Sequence, residues 1–224
     1  LEIVRKALPS DELVELISIV IGTPGNVGLR QGGSLSPLLL NLYLDATLDR
    51  PWVRQSEGIH LLRYADDLLL IAVDREQAIA AHKRMQGLLR SAGLKLKATG
   101  EDATRDLDAG EPIEWIGYRI SRSGGSMRIL PTERSWNSLR EHLERAHMEP
   151  DAPLKAIQII EGWIRSLGPC SPSLDATSFE TRLRSLANEL GFEEIPSVVE
   201  IKELFEQSFA RWEFVQEQIR SPMA

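Results

Sequence analysis

The stretch that most constrains the fold is HLLRYADDLLLIAVD, residues 60–74, in which two adjacent carboxylates interrupt an almost unbroken apolar run. An unpaired charge in an apolar interior is very costly, so Asp66 and Asp67 do not fit inside one continuous buried strand. The apolar flanks instead predict two buried strands that are joined at the acidic pair. Either the pair lies in a solvated turn, or something cationic neutralises it.

The composition is typical of a soluble globular protein, with 42% hydrophobic and 26% charged residues in a chain of 224. The single cysteine, Cys170, excludes an internal disulfide framework and suits a reducing compartment, so we expect a cytoplasmic location. No apolar run is long enough to span a membrane. Because the chain begins with Leu1 and not with methionine, we expect it to be part of a longer or trimmed protein.

The net charge of −7 is unevenly distributed along the chain. Residues 131–224 hold 10 Lys and Arg against 16 Asp and Glu, whereas residues 1–130 hold 16 against 17. A protein that binds nucleic acid usually has a basic surface, which these totals do not show. The totals argue against strong nucleic-acid affinity for this chain alone, although a local basic groove is compatible with them.

The first part of the chain mixes helix and strand signals. Residues 2–21 predict an amphipathic helix that breaks near Pro9, with Ser10 as the N-cap of its second part. Ser36 as N-cap and the proline after it predict a helix start, and Pro51 should end that helix. The further expected elements are a loop at 22–28, two strands within 59–73, a helix at 75–92, a short strand at 94–98 and a loop at 99–112.

The last part of the chain becomes wholly helical. IEWIGYRI (113–120) and SMRIL (126–130) flank SRSGG and predict a hairpin. After it, the apolar periodicity predicts four helices, at 132–147, 153–167, 175–190 and 197–219. The sequence therefore predicts an α+β fold, in which a mixed part to about residue 130 precedes an all-α part.

Two carboxylates at a hairpin tip that buried strands hold in place are a candidate metal site. Hard cations such as Mg²⁺ take oxygen ligands and leave positions for water and substrate phosphates. Two such ions roughly 4 Å apart can clamp the attacking and leaving oxygens of a phosphoryl transfer. The ordinary alternative is a solvated turn, because aspartate is common in turns.

The segment GLRQGGSLSP, residues 28–37, is a second candidate. Gly32 and Gly33 allow close backbone approach or a positive φ, and Gln31 offers both a donor and an acceptor. The helix start at Ser36 carries free N–H groups and a partial positive charge. The alternative for this segment is a tight loop that a serine caps.

In order, QGGSLSP, YADD, AGLKLKA and EWIGYRI resemble the palm motifs of reverse transcriptases of the bacterial and group II intron type, with a helical thumb following. The resemblance implies a partial palm at 1–130, with a small antiparallel sheet backed by helices, and a thumb-like region at 131–224. It implies an RNA template, a DNA primer and deoxynucleoside triphosphates as partners, no membrane, and two Mg²⁺ or Mn²⁺ ions in the complete enzyme.

The resemblance also implies roles for particular residues. Asp66 and Asp67 match the metal-binding acids, and Lys97, or less well Lys95, matches a lysine thought to protonate the pyrophosphate. Gln31 and Gly32 match the segment against the template base and incoming nucleotide, where Ser36 is also placed. Arg30 departs from the pattern, because many members have proline at this place, and it is either a phosphate contact or a solvated side chain. Trp115, Gly117 and Tyr118 match the primer-grip hairpin. Solvation is the alternative for Lys97, and core packing is the alternative for the two aromatic residues.

The chain departs from the family upstream of these motifs. The family's third catalytic carboxylate, on a palm strand, and its fingers are expected before residue 1 or in a partner chain. Asp11 reads as a helix-capping acid, and Asp45 and Asp49 read as a solvated helix face, so we do not expect them to substitute. We therefore weigh an RNA-directed DNA polymerase that needs its missing N-terminal part against a non-catalytic RNA- or protein-binding module.

Overall fold

A computed structural model gives the fold of the chain. It describes residues 2–8, 10–21, 28–29, 32–55, 58–98 and 100–220. The chain forms two compact units, Leu1–Asp106 and Leu107–Ala224. Helices and small antiparallel sheets occur together, which confirms the predicted α+β class. None of the described helices is long and apolar enough to cross a membrane.

The first unit is mainly helical and contains one hairpin. Its helices are α1 (Glu2–Ala7), α2 (Asp11–Ile21), α3 (Ser36–Leu44), α4 (Arg50–Gln55) and α5 (Arg75–Ser91), with a π-helical turn at Asp45–Asp49 and a 3₁₀ turn at Gly100–Ala103. The strands are β1 (His60–Tyr64) and β2 (Asp67–Ile71). The predicted loop at 22–28 lies largely outside the described residues.

Two helix starts in this unit, those of α2 and α5, follow from side-chain capping. The Ser10 hydroxyl accepts a hydrogen bond from the Leu13 N–H at 3.4 Å, as expected of an N-cap. Asp74 caps α5 in the same way, accepting from the Gln77 N–H at 2.8 Å. The prediction for Ser36 was wrong, because Leu35 is the N-cap of α3 and Ser36 is its first helical residue.

The prediction that Pro51 ends a helix was also wrong. The helical path continues from α3 through the π-helical turn into α4, which ends at Gln55. In the turn the Arg50 N–H donates to the carbonyl of Asp45, five residues back. Pro51 is the second residue of the α-helix that follows, where its missing N–H is not needed.

Residues 94–98 do not form the predicted strand, although their side chains alternate between buried and exposed positions as those of a strand do. Leu94 and Leu96 pack against the core of the first unit, while Lys95 and Lys97 are exposed. The segment pairs with neither β1 nor β2, so it has the side-chain pattern of a strand without a hydrogen-bonded ladder.

The second unit is a three-stranded antiparallel sheet followed by a helical bundle. The strands are β3 (Ile113–Trp115), β4 (Tyr118–Ser123) and β5 (Ser126–Pro131). The helices are α6 (Glu133–Ala146), α7 (Ala152–Ser166), α8 (Ala176–Glu189) and α9 (Val198–Arg220), with a 3₁₀ turn at Gly168–Ser173. These four helices agree with the predicted ones to within one or two residues.

The predicted single hairpin of this unit is in fact two hairpins. Ile116 and Gly117 form a two-residue turn that divides the expected strand 113–120, and both have positive φ, 43° and 86°. Gly124 and Gly125, with φ of 59° and 80°, make the second turn. Two positive φ values are the mark of a type I′ turn, which matches the twist of the strands.

Each unit has its own core. Eighteen buried residues form one cluster in the second unit, and Leu139, Ile160 and Leu183 are among them. In the described part of the first unit there is a cluster of six buried residues around Leu48 and a separate cluster of four. Cys170 belongs to the large cluster, and burial raises the pKa of its thiol to about 12, so the thiol is protonated at neutral pH.

Candidate active site at the tip of an acidic hairpin

The two carboxylates lie at the tip of the hairpin β1–β2, as the sequence predicts. Tyr64 pairs with Asp67 at the end of the ladder, so Ala65 and Asp66 are the two residues of the turn. Ala65 has a φ of 53°, which is in the left-handed region. Asp66 therefore projects from the turn itself, and Asp67 is the first residue of β2.

The hairpin packs against the core on one face only, so its two strands are partly buried and not buried as predicted. Leu61, Leu68 and Leu70 pack against the cluster around Leu48. On the other face lie residues that are largely exposed: Leu62 (41%), Tyr64 (66%) and Ile71 (50%). Side chains alternate between faces along a strand, so Asp67, opposite Tyr64, belongs to the exposed face.

Arg63 lies on the inner face and carries the polar contacts of the hairpin tip. Its Nε donates to both carboxylate oxygens of Asp49 at 3.0 Å, and its Nη2 donates to Oδ2 of Asp49 at 2.5 Å. Its Nη1 donates to Oδ1 of Asn41 at 2.7 Å and to the carbonyl of Ala65 at 3.2 Å. One guanidinium thus joins α3, the π-helical turn and the turn that carries the acids.

The ion pair is largely removed from solvent. The Arg63 side chain is 15% exposed and that of Asp49 is 29% exposed. The hydrogen bond from Arg63 to Asp49 raises the pKa of the guanidinium above its ordinary value, against the opposing effect of burial. The spacing of Asp49 from Asp45 predicted that Asp49 lies on a solvated helix face. This prediction was wrong, because Asp49 is paired with Arg63 and partly buried.

The acids themselves face solvent. Both Asp66 and Asp67 are exposed, and neither carboxylate forms an ion pair or hydrogen bond with a side chain or backbone group of the described residues. Their carboxylate oxygens are the hard donors that Mg²⁺ prefers, so the donor set fits such an ion in kind. Among the described residues, no group of three or more His, Cys, Asp and Glu side chains is placed to hold a metal.

The second predicted segment is described only in part. Arg30 and Gln31 lie outside the described residues. Gly32 has a φ of 78°, a conformation that glycine adopts without strain. Ser36 begins α3, the helix whose Asn41 binds Arg63. The helix after QGGSLSP and the YADD hairpin are therefore joined in space through Arg63.

Lys97 is exposed in an irregular segment of the first unit. Its neighbour Leu96 packs against the core, which anchors the backbone at this point. The exposed position of Lys97 is compatible both with a solvated lysine and with the predicted role.

The predicted primer-grip residues form the first turn of the second unit. Trp115 pairs with Tyr118 across the turn that Gly117 completes. The Gly117 carbonyl accepts from the backbone N–H and the hydroxyl of Thr132, at 3.0 and 3.1 Å. The Trp115 indole Nε1 is buried without a hydrogen-bond partner among the described residues.

Tyr118 packs against the large core and donates its hydroxyl to the carbonyl of Ser166 at 2.8 Å. Burial raises the pKa of this phenol above its ordinary value. Core packing, the alternative reading of this residue, is thus confirmed for Tyr118.

Three residues of the hairpin site were not predicted from the sequence: Asn41, Asp49 and Arg63. One signal was available, because Arg63 alternates inward with Leu61 in an apolar strand. A charge on an inner face needs a partner, although the sequence does not say which one.

Comparison with known proteins agrees with the motifs. Residues 15–120 match the family model for reverse transcriptase (RNA-dependent DNA polymerase). The chain is also similar to the retrovirus-related Pol polyprotein from type-1 retrotransposable element R2 of Nasonia vitripennis, with 40% identity over 74 residues. This match covers 31% of the chain and 7% of the relative, so the chain spans a small part of that protein's length.

The segment that contains the acid pair is therefore similar in sequence to reverse transcriptases. This confirms the resemblance to reverse transcriptases in general.

Proposed function

We propose that the protein containing this chain is an RNA-directed DNA polymerase. The reaction is the template-directed transfer of a deoxynucleotide to a primer 3′-hydroxyl, with release of pyrophosphate. The observation that carries the proposal is the exposed acid pair at the tip of an anchored hairpin, within a segment that matches reverse transcriptases. Residues 1–130 would contribute part of the palm, and residues 131–224 would contribute a thumb-like region.

Asp66 and Asp67 would hold Mg²⁺ or Mn²⁺, two ions being expected in the complete enzyme. When bound, the ions would supply charge neutralisation at the transferred phosphoryl group. The chain's own contribution is to hold the two carboxylates at a fixed place, since catalysis of this kind consists mainly of positioning and electrostatic stabilisation.

In addition to Asp66 and Asp67, the complete site would need a further carboxylate, which residues 1–224 do not supply in this proposal. Asp49 is already paired with Arg63, and Asp45 is paired with Arg50 at 2.8 Å. Asp11 is the first residue of α2, where an acid complements the helix dipole. We therefore propose that residues 1–224 by themselves do not extend a primer.

The remaining roles follow the family pattern. Lys97 would protonate the leaving pyrophosphate, and the exposed position of its side chain leaves it accessible. Template and nucleotide would contact Arg30, Gln31, Gly32 and Ser36, and the primer end would contact Trp115, Gly117 and Tyr118. The order of the motifs supports kinship with the bacterial and group II intron type. We also propose a cytoplasmic location, on the single cysteine alone.

The test is primer extension by the full protein that contains this chain, on a primed RNA template with Mg²⁺. Asp66→Asn removes one ligand charge and keeps the shape, so extension should fall by at least about a thousandfold while the fold is retained. Asp45→Asn is the matched control, because it removes a carboxylate that Arg50 pairs at the surface. It should keep most of the activity; wild-type extension by Asp66→Asn would overturn the metal assignment.

The second candidate is a reverse-transcriptase-like module that binds RNA or protein without polymerising. The acidic balance of residues 131–224 favours it, since that region lacks the basic charge of a nucleic-acid grip. RNA binding by the full wild-type protein without any extension, with either Mg²⁺ or Mn²⁺, would support this candidate over the polymerase.

A further inference from the structure

We propose that Arg63 is the positioning residue of the acidic hairpin, and that Asp49 and Asn41 are the anchors through which it acts. The inference rests on the proposed function, because it assigns a role in holding Asp66 and Asp67 for metal binding. Arg63 itself would not touch the substrate.

The guanidinium reaches the turn directly. It donates to the carbonyl of Ala65, the residue before Asp66, while the rest of its donors hold Asn41 and Asp49. The two anchors belong to the helical path from α3 through the π-helical turn. Any displacement of the turn relative to that path must therefore stretch hydrogen bonds of a charged group, which are stronger than neutral ones.

The tip needs such a restraint because apolar packing supplies little of it. On the inner face, Leu68 is the apolar residue nearest to the turn. On the other face, Tyr64 is largely exposed. Ala65 is also held in the left-handed region, which costs an L-residue free energy and persists only where the surroundings enforce it. Among the described residues, the hydrogen bond from Arg63 to the Ala65 carbonyl is the contact that restrains Ala65.

Arginine is suited to this place in a way that lysine is not. Its planar fork presents five donors, so it can bind Asp49 through two nitrogens and still reach both Asn41 and Ala65. A lysine at residue 63 keeps the charge for Asp49, but its three donors share one nitrogen, which cannot occupy the separate positions of Nε, Nη1 and Nη2. Arg63→Lys therefore loosens the turn without leaving Asp49 as an unpaired, partly buried charge.

The experiment measures primer extension by the full protein as a function of Mg²⁺ concentration. For Arg63→Lys we expect kcat to fall by about 10- to 100-fold and the half-saturating Mg²⁺ concentration to rise by a similar factor. The KM for the primer–template should stay within about twofold of wild type, because Arg63 does not contact nucleic acid. Arg50→Lys is the matched control: it alters the exposed ion pair with Asp45 and should change neither quantity.

Asn41→Ala keeps the experiment decisive if Arg63→Lys fails to fold. Asn41 is exposed and its loss leaves the ion pair intact, so the fold should survive. We expect a smaller shift in the same direction, about three- to tenfold in the half-saturating Mg²⁺ concentration. A structural role alone would lower the melting temperature of the variant without moving its Mg²⁺ dependence.

The outcomes separate this inference from the proposed function. Wild-type extension by Asp66→Asn overturns the metal assignment whatever the arginine variants do. If Asp66→Asn is inactive while Arg63→Lys and Asn41→Ala both keep the wild-type Mg²⁺ dependence, the positioning role is overturned and the proposed function stands. A raised KM for the primer–template with unchanged Mg²⁺ dependence would also overturn it, since that result indicates a contact with nucleic acid.

Discussion

The two hairpins with non-glycine residues in tight turns are held by different forces. In β1–β2 the turn at Ala65 is tied back by the charged hydrogen bonds of Arg63, and one face of the strands stays exposed. In β3–β4 the turn at Ile116 is followed by Tyr118, which packs on the large core. The difference shows how a tip can be kept open to solvent and still be restrained, because a polar anchor does not have to cover it.

The hydrophobic cores of the two units also differ, in size and in continuity. Among the described residues, eighteen buried hydrophobic residues of the second unit form one cluster, whereas those of the first unit divide between clusters of six and four. A larger continuous cluster leaves fewer directions in which neighbours can relax around a deletion. Equivalent truncations in the two units should therefore have unequal costs.

The largest expected effect comes from truncating one leucine in each core. Leu183 in the second unit and Leu48 in the first are both completely buried. We expect Leu183→Ala to lower the free energy of unfolding by about 4 kcal/mol, and Leu48→Ala by about 3 kcal/mol. Denaturant unfolding of each variant checks this, and a greater loss from Leu48→Ala would break the comparison of the cores.

A smaller effect is expected where the second unit packs backbone against backbone. A Cβ on Gly168 would lie 2.6 Å from the backbone oxygen of Ser208 in α9. Gly168→Ala should therefore destabilise the fold by about 1–3 kcal/mol. Gly162→Ala, in the interior of α7 with open space at its Cβ, is the matched control and should stabilise by about 0.5–1 kcal/mol. Thermal unfolding distinguishes the two signs, and equal effects would contradict the close approach.

The smallest effect compares the two turns. Ile116, a β-branched residue with a φ of 43°, is unfavourable there, and Ile116→Asn creates the Asn-Gly pair that type I′ turns prefer. We expect a stabilisation of about 1 kcal/mol. Ala65→Asn should gain less, about 0.5 kcal/mol or below, because alanine has no β-branch. Equilibrium unfolding measures the free energy of both variants. A larger stabilisation from Ala65→Asn than from Ile116→Asn would mean that the hydrogen bond from Arg63 does not compensate the strain at Ala65.

Much of the fold could be predicted from local sequence signals. The helices α5 to α9 follow from apolar periodicity and from caps such as Asp74, which depend on residues close together in the chain. The hairpin with Asp66 at its tip was predicted from the same kind of local pattern.

The wrong predictions have more than one cause. Pro51 was expected to end a helix, but the π-helical turn before it places the proline where no N–H is required. Residues 94–98 alternate like a strand and have no strand to pair with in the described fold. Asp49 looked solvated from its spacing, although it binds an arginine fourteen residues later. The last two outcomes depend on packing partners distant in the chain, which local reasoning does not supply.

The sequence by itself determined that this chain has an acidic hairpin between helices and that its motifs resemble those of reverse transcriptases. Short-range periodicity, turn chemistry and motif order are sufficient for that. Only the tertiary structure decided which face of the hairpin is buried and that Arg63 connects the acids to Asn41 and Asp49. The physical reason is that a buried charge must be paired, and the identity of its partner depends on how separate segments pack.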